Sequence, residues 1–148
     1  TPATNLDFGY RRSSLHNASD NPVVLEAVFQ VETGSASVLR AELLHLARKR
    51  RASQPQGHHA GSFFKNPDGD FAGRLIEATG LKGLRHSTAF ISPVHANFLS
   101  SDSGGRADDV LDLAINVQRR VAESSGIVLI PEVRFIGRWD ERTEALFA

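Results

Sequence analysis

Cysteine is absent from the 148 residues, which excludes disulfides, thiolate nucleophiles and cysteine-based zinc or iron–sulfur centres. Methionine is absent too, so the start at Thr1 reads as a cut rather than a translation start, and the chain is expected to be a piece of something longer. An excess of charge of either sign is lacking. Seventeen basic residues meet seventeen acidic ones, and a formal net charge of zero argues against bulk attraction to nucleic acid or anionic membrane. No apolar run approaches the roughly 18 residues of a membrane span, and no signal-peptide core opens the chain. Glycine fingerprints of a phosphate loop or a dinucleotide fold are missing, as are internal repeats. What is there, 41% hydrophobic and 23% charged residues, is ordinary globular composition at the size of one domain. The missing cysteine fits a reducing, cytoplasmic location.

The hydrophobic pattern places the elements. Residues 22–31 (PVVLEAVFQV) are rich in β-branched and aromatic side chains and predict a strand. Glu32-Thr33-Gly34 turns the chain, and Ser35 is the expected N-cap of a helix to about Arg51, with Leu39, Leu43, Leu46 and Ala47 as its apolar stripe. Residues 52–61 predict a loop and residues 61–67 (GSFFKNP) a short extended segment. Asp70 is the expected cap of a second helix, FAGRLIEAT, closed by Gly80. Residues 88–92 and 97–100 predict two short strands around Pro93, and residues 102–105 a turn. A long amphipathic helix is expected over residues 107–125, with Val110, Leu111, Ala114, Val117 and Val121 on one face and Gly126 at its end. A last strand over residues 127–136 is interrupted by Pro131. The order predicts an α+β fold, a small mixed sheet packed with three main helices in a single domain, with residues 139–148 as a solvated extension.

Four constellations bear on chemistry. In an extended 61–67 segment Ser62, Phe64 and Asn66 share one side, so a hydroxyl and an amide point together just before a helix N-terminus. That set suits an oxygen-rich, anionic ligand, although a strand end with Asn66 as a turn former is the commoner reason for such a pattern. Glu132 and Arg134, two apart in a strand, face one way; they are either a surface pair or partnered around a bound group. Arg11 and Arg12 sit beside Phe8, Tyr10 and two serines, where a guanidinium fork fits phosphate or enolate oxygens and frayed, solvated arginines are the ordinary alternative. The run Arg48-Lys49-Arg50-Arg51 near His58 and His59 invites nucleic acid or a metal. A helix-end cation cluster complements the dipole, however, and adjacent histidines lack metal-ligand spacing.

Taken together, FGYRRSS, RRASQP, AGSFFKNP, AGRLIEATGLKG, HANFL, ADDV and PEVRFIG stand in the order found in UDP-N-acetylenolpyruvoylglucosamine reductases. The resemblance runs from Leu6 to Gly137 and is carried most specifically by AGSFFKNP and PEVRFIG. It resembles that family's carboxy-terminal, substrate-binding domain over residues 1–148. The FAD-binding half would lie outside this chain. The resemblance implies peptidoglycan-precursor chemistry: NADPH reduces FAD, the flavin delivers a hydride to the enolpyruvyl double bond, and an acid protonates the neighbouring carbon. By resemblance Ser62 matches the proton donor, and Glu132 and Arg11 match the groups that stabilise the enolate-like intermediate. Asn66, His95, Arg134 and Arg50 fall at substrate-contacting positions, with Lys65, Ser53 and Gln54 as weaker candidates. The expected partners are the enolpyruvyl sugar nucleotide and the FAD domain, with no nucleic acid, membrane or metal. A binding module without catalysis is the alternative. One departure stands out: Ser87-Thr88-Ala89 replaces a glycine pair and alanine.

Overall fold

The computed structural model describes residues 2–20 and 22–147, with only the backbone of Asn17. The chain divides into two compact units, Thr1–Ala36 and Ser37–Ala148.

The first unit holds two 3₁₀ turns, Ala3–Asn5 and Ser14–Asn17, separated by a tight reversal. There Gly9 and Arg12 bridge each other, with both N–H groups donating across at 3.0 and 3.2 Å. Arg11 stands in the left-handed region at φ 55, its guanidinium 5.9 Å from the centre of the Tyr10 ring. Residues 22–31 form no strand, contrary to the pattern, and Val23, Leu25 and Phe29 are exposed. A strand needs a neighbouring edge to satisfy its backbone, and residues 22–31 pair with none among the described residues.

From Ala36 onward the elements are α1 (Ala36–Ser53), β1 (His58–His59), α2 (Ala72–Ala78), β2 (Arg85–His86), β3 (Ala89–Ile91), β4 (Leu99–Ser101), α3 (Ala107–Ser125) and α4 (Glu141–Phe147). The α+β class holds. The sheet is antiparallel throughout instead of mixed, in the order β1-β4-β3-β2, with Ala89 opposite Ser101 and His59 opposite Ser100. β1 falls inside the expected loop, because a two-residue strand is too short to show alternation.

Helix α3 forms where expected and lies against β2, β3 and β4. It buries Leu111, Leu113, Ala114, Val117 and Val121, and Gly126 ends it at φ 72, a conformation that costs a residue with a Cβ. Helix α1 also forms, but its apolar stripe is not covered by the described residues: none of it is buried, and Leu39, Leu43 and Leu46 are more than half exposed.

Residues 127–136 make no regular strand. They pair with the 63–65 segment through a single antiparallel bridge, Phe64 to Pro131, flanked by Lys65 N–H to Ile130 O and Glu132 N–H to Phe63 O, each 2.8 Å. Proline lacks the donor a longer ladder would need. The 139–148 tail departs from the solvated extension expected of it. Helix α4 packs on α3, buries Leu146, and receives the Gln118 amide at the Leu146 carbonyl (3.0 Å).

Where the resemblance leads one to expect a glycine pair, Ser87 adopts φ 50 in the two-residue turn between β2 and β3. Serine there is strained. The turn is held from outside by Asp109, whose carboxylate accepts the Thr88 hydroxyl at 2.5 Å and the Thr88 N–H at 3.2 Å. Those bonds hold the Asp109 pKa below its ordinary value, the hydroxyl being the larger cause.

Candidate functional site

Gly61, at φ 85, lets the chain turn sharply after β1 and present Ser62 at the head of the 62–66 segment. Phe63 and Phe64 are both buried, so strict alternation along this segment fails: two adjacent rings 5.0 Å apart enter one core. Ser62 and Asn66 nonetheless line the same open cleft, of about 450 Å³, together with His95. Helix α2 supplies the facing wall through Gly73, Arg74 and Glu77, and Phe71, Val94, Ala96 and Asn97 complete it.

Several wall residues have a local reason for their place. The Asn66 Oδ1 accepts the Ala72 N–H at 3.1 Å and so takes one of the orphan donors that open α2. The residue at the N-cap position is Phe71, with Asp70 outside it. Asp70 accepts the Phe71 N–H and the Arg74 Nε, each at 2.6 Å, and a second Arg74 nitrogen as well. The Arg74 guanidinium, seconded by that N–H, lowers the Asp70 carboxyl from 3.8 to about 2. His95 stacks edge-on against Phe98 at 4.9 Å, and a Cβ added at Gly73 would come within 3.1 Å of the His95 ring.

The remaining sequence candidates distribute unevenly. Glu132 is half-buried, and through its N–H bond to Phe63 its backbone runs beside the segment that carries Ser62. Neither Glu132 nor the exposed Arg134 is among the residues lining the cleft. Lys65 is half-buried next to Asn66. Arg50 lies on α1, where its Nε donates to Gln54 at 3.0 Å; both residues border a second, shallower depression of about 360 Å³. Ser53 turns its hydroxyl onto the Lys49 carbonyl. Arg11 belongs to the first unit. No group of three or more potential metal ligands occurs among the described residues, and no described helix is long and apolar enough to cross a membrane.

Sequence reasoning missed Gly73, Arg74 and Glu77, although their i, i+1, i+4 spacing on a helix just after Asn66 puts them on one side. It also missed Asn97, inside the HANFL block.

A hydroxyl, an amide, an imidazole and a guanidinium around an open cleft, with Glu77 as the one carboxylate among the described residues that line it, suit an oxygen-rich ligand. Against this geometry the model of the UDP-N-acetylenolpyruvoylglucosamine reductase C-terminal domain matches residues 54–136, more than half of the chain and the whole of the cleft. The chain belongs to this family. The UDP-N-acetylenolpyruvoylglucosamine reductase of Chloroflexus aggregans is 43% identical over 138 residues, covering 91% of this chain and 46% of that protein. The reductase of the same name from Rubrobacter xylanophilus is 44% identical over 134 residues, 89% of this chain and 44% of its own length. The crystal structure of the MurB reductase from Thermus caldophilus superposes with a TM-score of 0.72 at 36% identity, over 88% of this chain and 46% of that one. The chain thus spans just under half the length of the curated reductases it matches.

The starts of helices α2 and α3 do not suit the pyrophosphate of the flavin dinucleotide that the family resemblance implies. Helix α3 opens with Asp108 and Asp109, whose carboxylates oppose a pyrophosphate, and the first N–H of α2 is already bonded to Asn66.

Proposed function

We propose that this chain is the substrate-binding and proton-donating part of a reductase acting on the enolpyruvyl ether of UDP-N-acetylglucosamine. The convergence of Ser62, Asn66 and His95 on one cleft carries the reading. FAD reduced by NADPH would supply the hydride, and both are expected outside these residues. What the chain supplies is the proton and the charge that steadies it.

A serine hydroxyl is a very weak acid and protonates only a strongly basic carbon, such as that of an enolate. Ser62 gives its proton to the carbon next to the one that receives hydride, and solvent restores the hydroxyl. Negative charge collecting on the enol carboxylate calls for fixed cationic donors, the role assigned to Arg11 and, with the substrate's other anionic groups, Arg134. Glu132 assists by orienting a neighbour or a water, because a second bare anion beside an enolate would repel it. Asn66 and His95 bind the sugar nucleotide in the cleft. Lys65 and Arg50 are assigned further contacts to the substrate, with Ser53 and Gln54 as weaker candidates; Arg50 and Gln54 border the separate depression.

The test is Ser62→Ala in a protein that also carries the flavin half. Flavin reduction by NADPH should proceed at the normal rate, while reoxidation by the enolpyruvyl sugar slows by at least about 10²-fold. Equal loss in both half-reactions, or in neither, contradicts the proton-donor role.

A further inference from the structure

Asn97 is 3% exposed, and all four of its polar groups bond either the Phe63–Phe64 pair next to Ser62 or the cleft residue His95. Its carbonyl accepts the Phe63 N–H at 2.8 Å. Its side-chain Oδ1 accepts the Phe64 N–H at 2.9 Å, and its Nδ2 donates to the Phe64 carbonyl at 2.8 Å, a two-point amide clasp on a single backbone residue. Its own N–H donates to His95 Nδ1 at 3.2 Å. On the far side, the same short segment is held by residues 130–132 through Glu132 N–H to Phe63 O and Lys65 N–H to Ile130 O. The Asn97 amide therefore does for Phe64 what a neighbouring strand would, just ahead of β4, which begins two residues later.

We propose that Asn97 is the positioning residue of the cleft, setting the Ser62 hydroxyl and the His95 imidazole in one frame. The inference rests on the reading of Ser62 as proton donor. Ser62 follows a glycine at φ 85 and precedes the two residues Asn97 grips, so the place of its hydroxyl is fixed from the Phe63–Phe64 side. The bond to Nδ1 has a second consequence: an N–H donor there needs a lone pair, which leaves the proton of the neutral His95 ring on Nε2. The clasp is buried and doubly satisfied, so removing it leaves the Phe64 N–H and carbonyl without partners. The segment then slips. A displacement of about 1 Å at a reacting group costs roughly 10²-fold in rate.

The experiment uses the flavin-loaded reductase containing this chain, with NADPH reduction and reoxidation by the enolpyruvyl sugar followed separately. Asn97→Ala should reduce flavin normally and slow reoxidation by roughly 10²-fold. In Ser62→Ala/Asn97→Ala the second substitution should add less than about threefold, since two residues that act as a unit are not additive. Asn97→Asp supplies a check that does not depend on the alanine variant folding. Its protonated carboxyl offers one donor and one acceptor as the amide does, whereas the carboxylate repels the Phe64 carbonyl. Its deficit relative to the parent enzyme should therefore shrink as pH falls. A folded Asn97→Ala that reoxidises normally, a double variant showing the full product of both losses, or an Asn97→Asp deficit indifferent to pH overturns the inference and leaves the Ser62 assignment standing. Normal reoxidation in Ser62→Ala alone overturns both.

Discussion

Arg142 reaches across 30 residues of sequence to Asp112, its Nη1 lying 2.5 Å from Oδ1, and a second nitrogen stands 2.7 Å from Asp140. This fork ties the last helix to the long one at the back of the core. Asp140, hydrogen-bonded foremost by Arg142, has its pKa held below the ordinary carboxylate value. All three groups are partly exposed, so water and salt screen them. Arg142→Ala should lower the thermal midpoint by no more than about 4 °C in low salt. The difference should shrink as ionic strength rises, measured by circular dichroism at two salt concentrations. A salt-independent loss would mean that packing of the arginine stem, and not charge, is what holds α4.

Asp70, paired with the cleft residue Arg74, provides a pH signature. Its folded pKa of about 2 lies below the ordinary 3.8, so its contribution is complete above roughly pH 4 and disappears as pH falls towards 2. Urea midpoints taken from pH 5 to pH 2 should show the parent protein losing its advantage over Asp70→Asn through that window. A gap unchanged across it would mean that the Arg74 pair contributes nothing to folding.

Gly73 sets two effects against each other. Alanine in a helix gains about 1 kcal/mol over glycine. The added Cβ, however, would sit 3.1 Å from a His95 ring already fixed by Asn97 and Phe98. Gly73→Ala should leave the unfolding midpoint close to the parent value and weaken sugar-nucleotide binding several-fold by calorimetry. Unaltered affinity would show that His95 can give way, or that it makes no contact with the ligand.

Two leucines on neighbouring helical patterns should behave oppositely. Leu111 is fully buried under the sheet, whereas Leu43 on α1 is 67% exposed. Leu111→Ala should cost about 3 kcal/mol in denaturant unfolding of this chain. Leu43→Ala should stay within about 0.5 kcal/mol. A large loss at Leu43 would reveal that α1 is packed in solution.

The core was legible where periodicity is local. Val110, Leu111, Ala114, Val117 and Val121 recur at helical spacing, and Gly126 closes that helix as its sequence position implies. The cleft was legible in part: Ser62, Asn66 and His95 were named from the sequence, through spacing and family resemblance, and they line one cleft. Gly73, Arg74 and Asn97 escaped because their place depends on which segment they face. The clasp of Asn97 on Phe64 joins residues 33 apart, and no spacing rule encodes such a pair.

By itself the sequence determined that α1, α2 and α3 would form, that left-handed glycines would follow α2 and α3, and which chemistry a hydroxyl, an amide and an imidazole could offer. Those properties depend on side chains and their near neighbours. The tertiary structure decided what strands would exist at all and which polar groups would face one cleft, since a β-edge or an amide clasp exists only once a distant partner arrives. That is why 22–31 reads as a strand and remains unpaired, while the tail that reads as solvent-exposed folds down as α4.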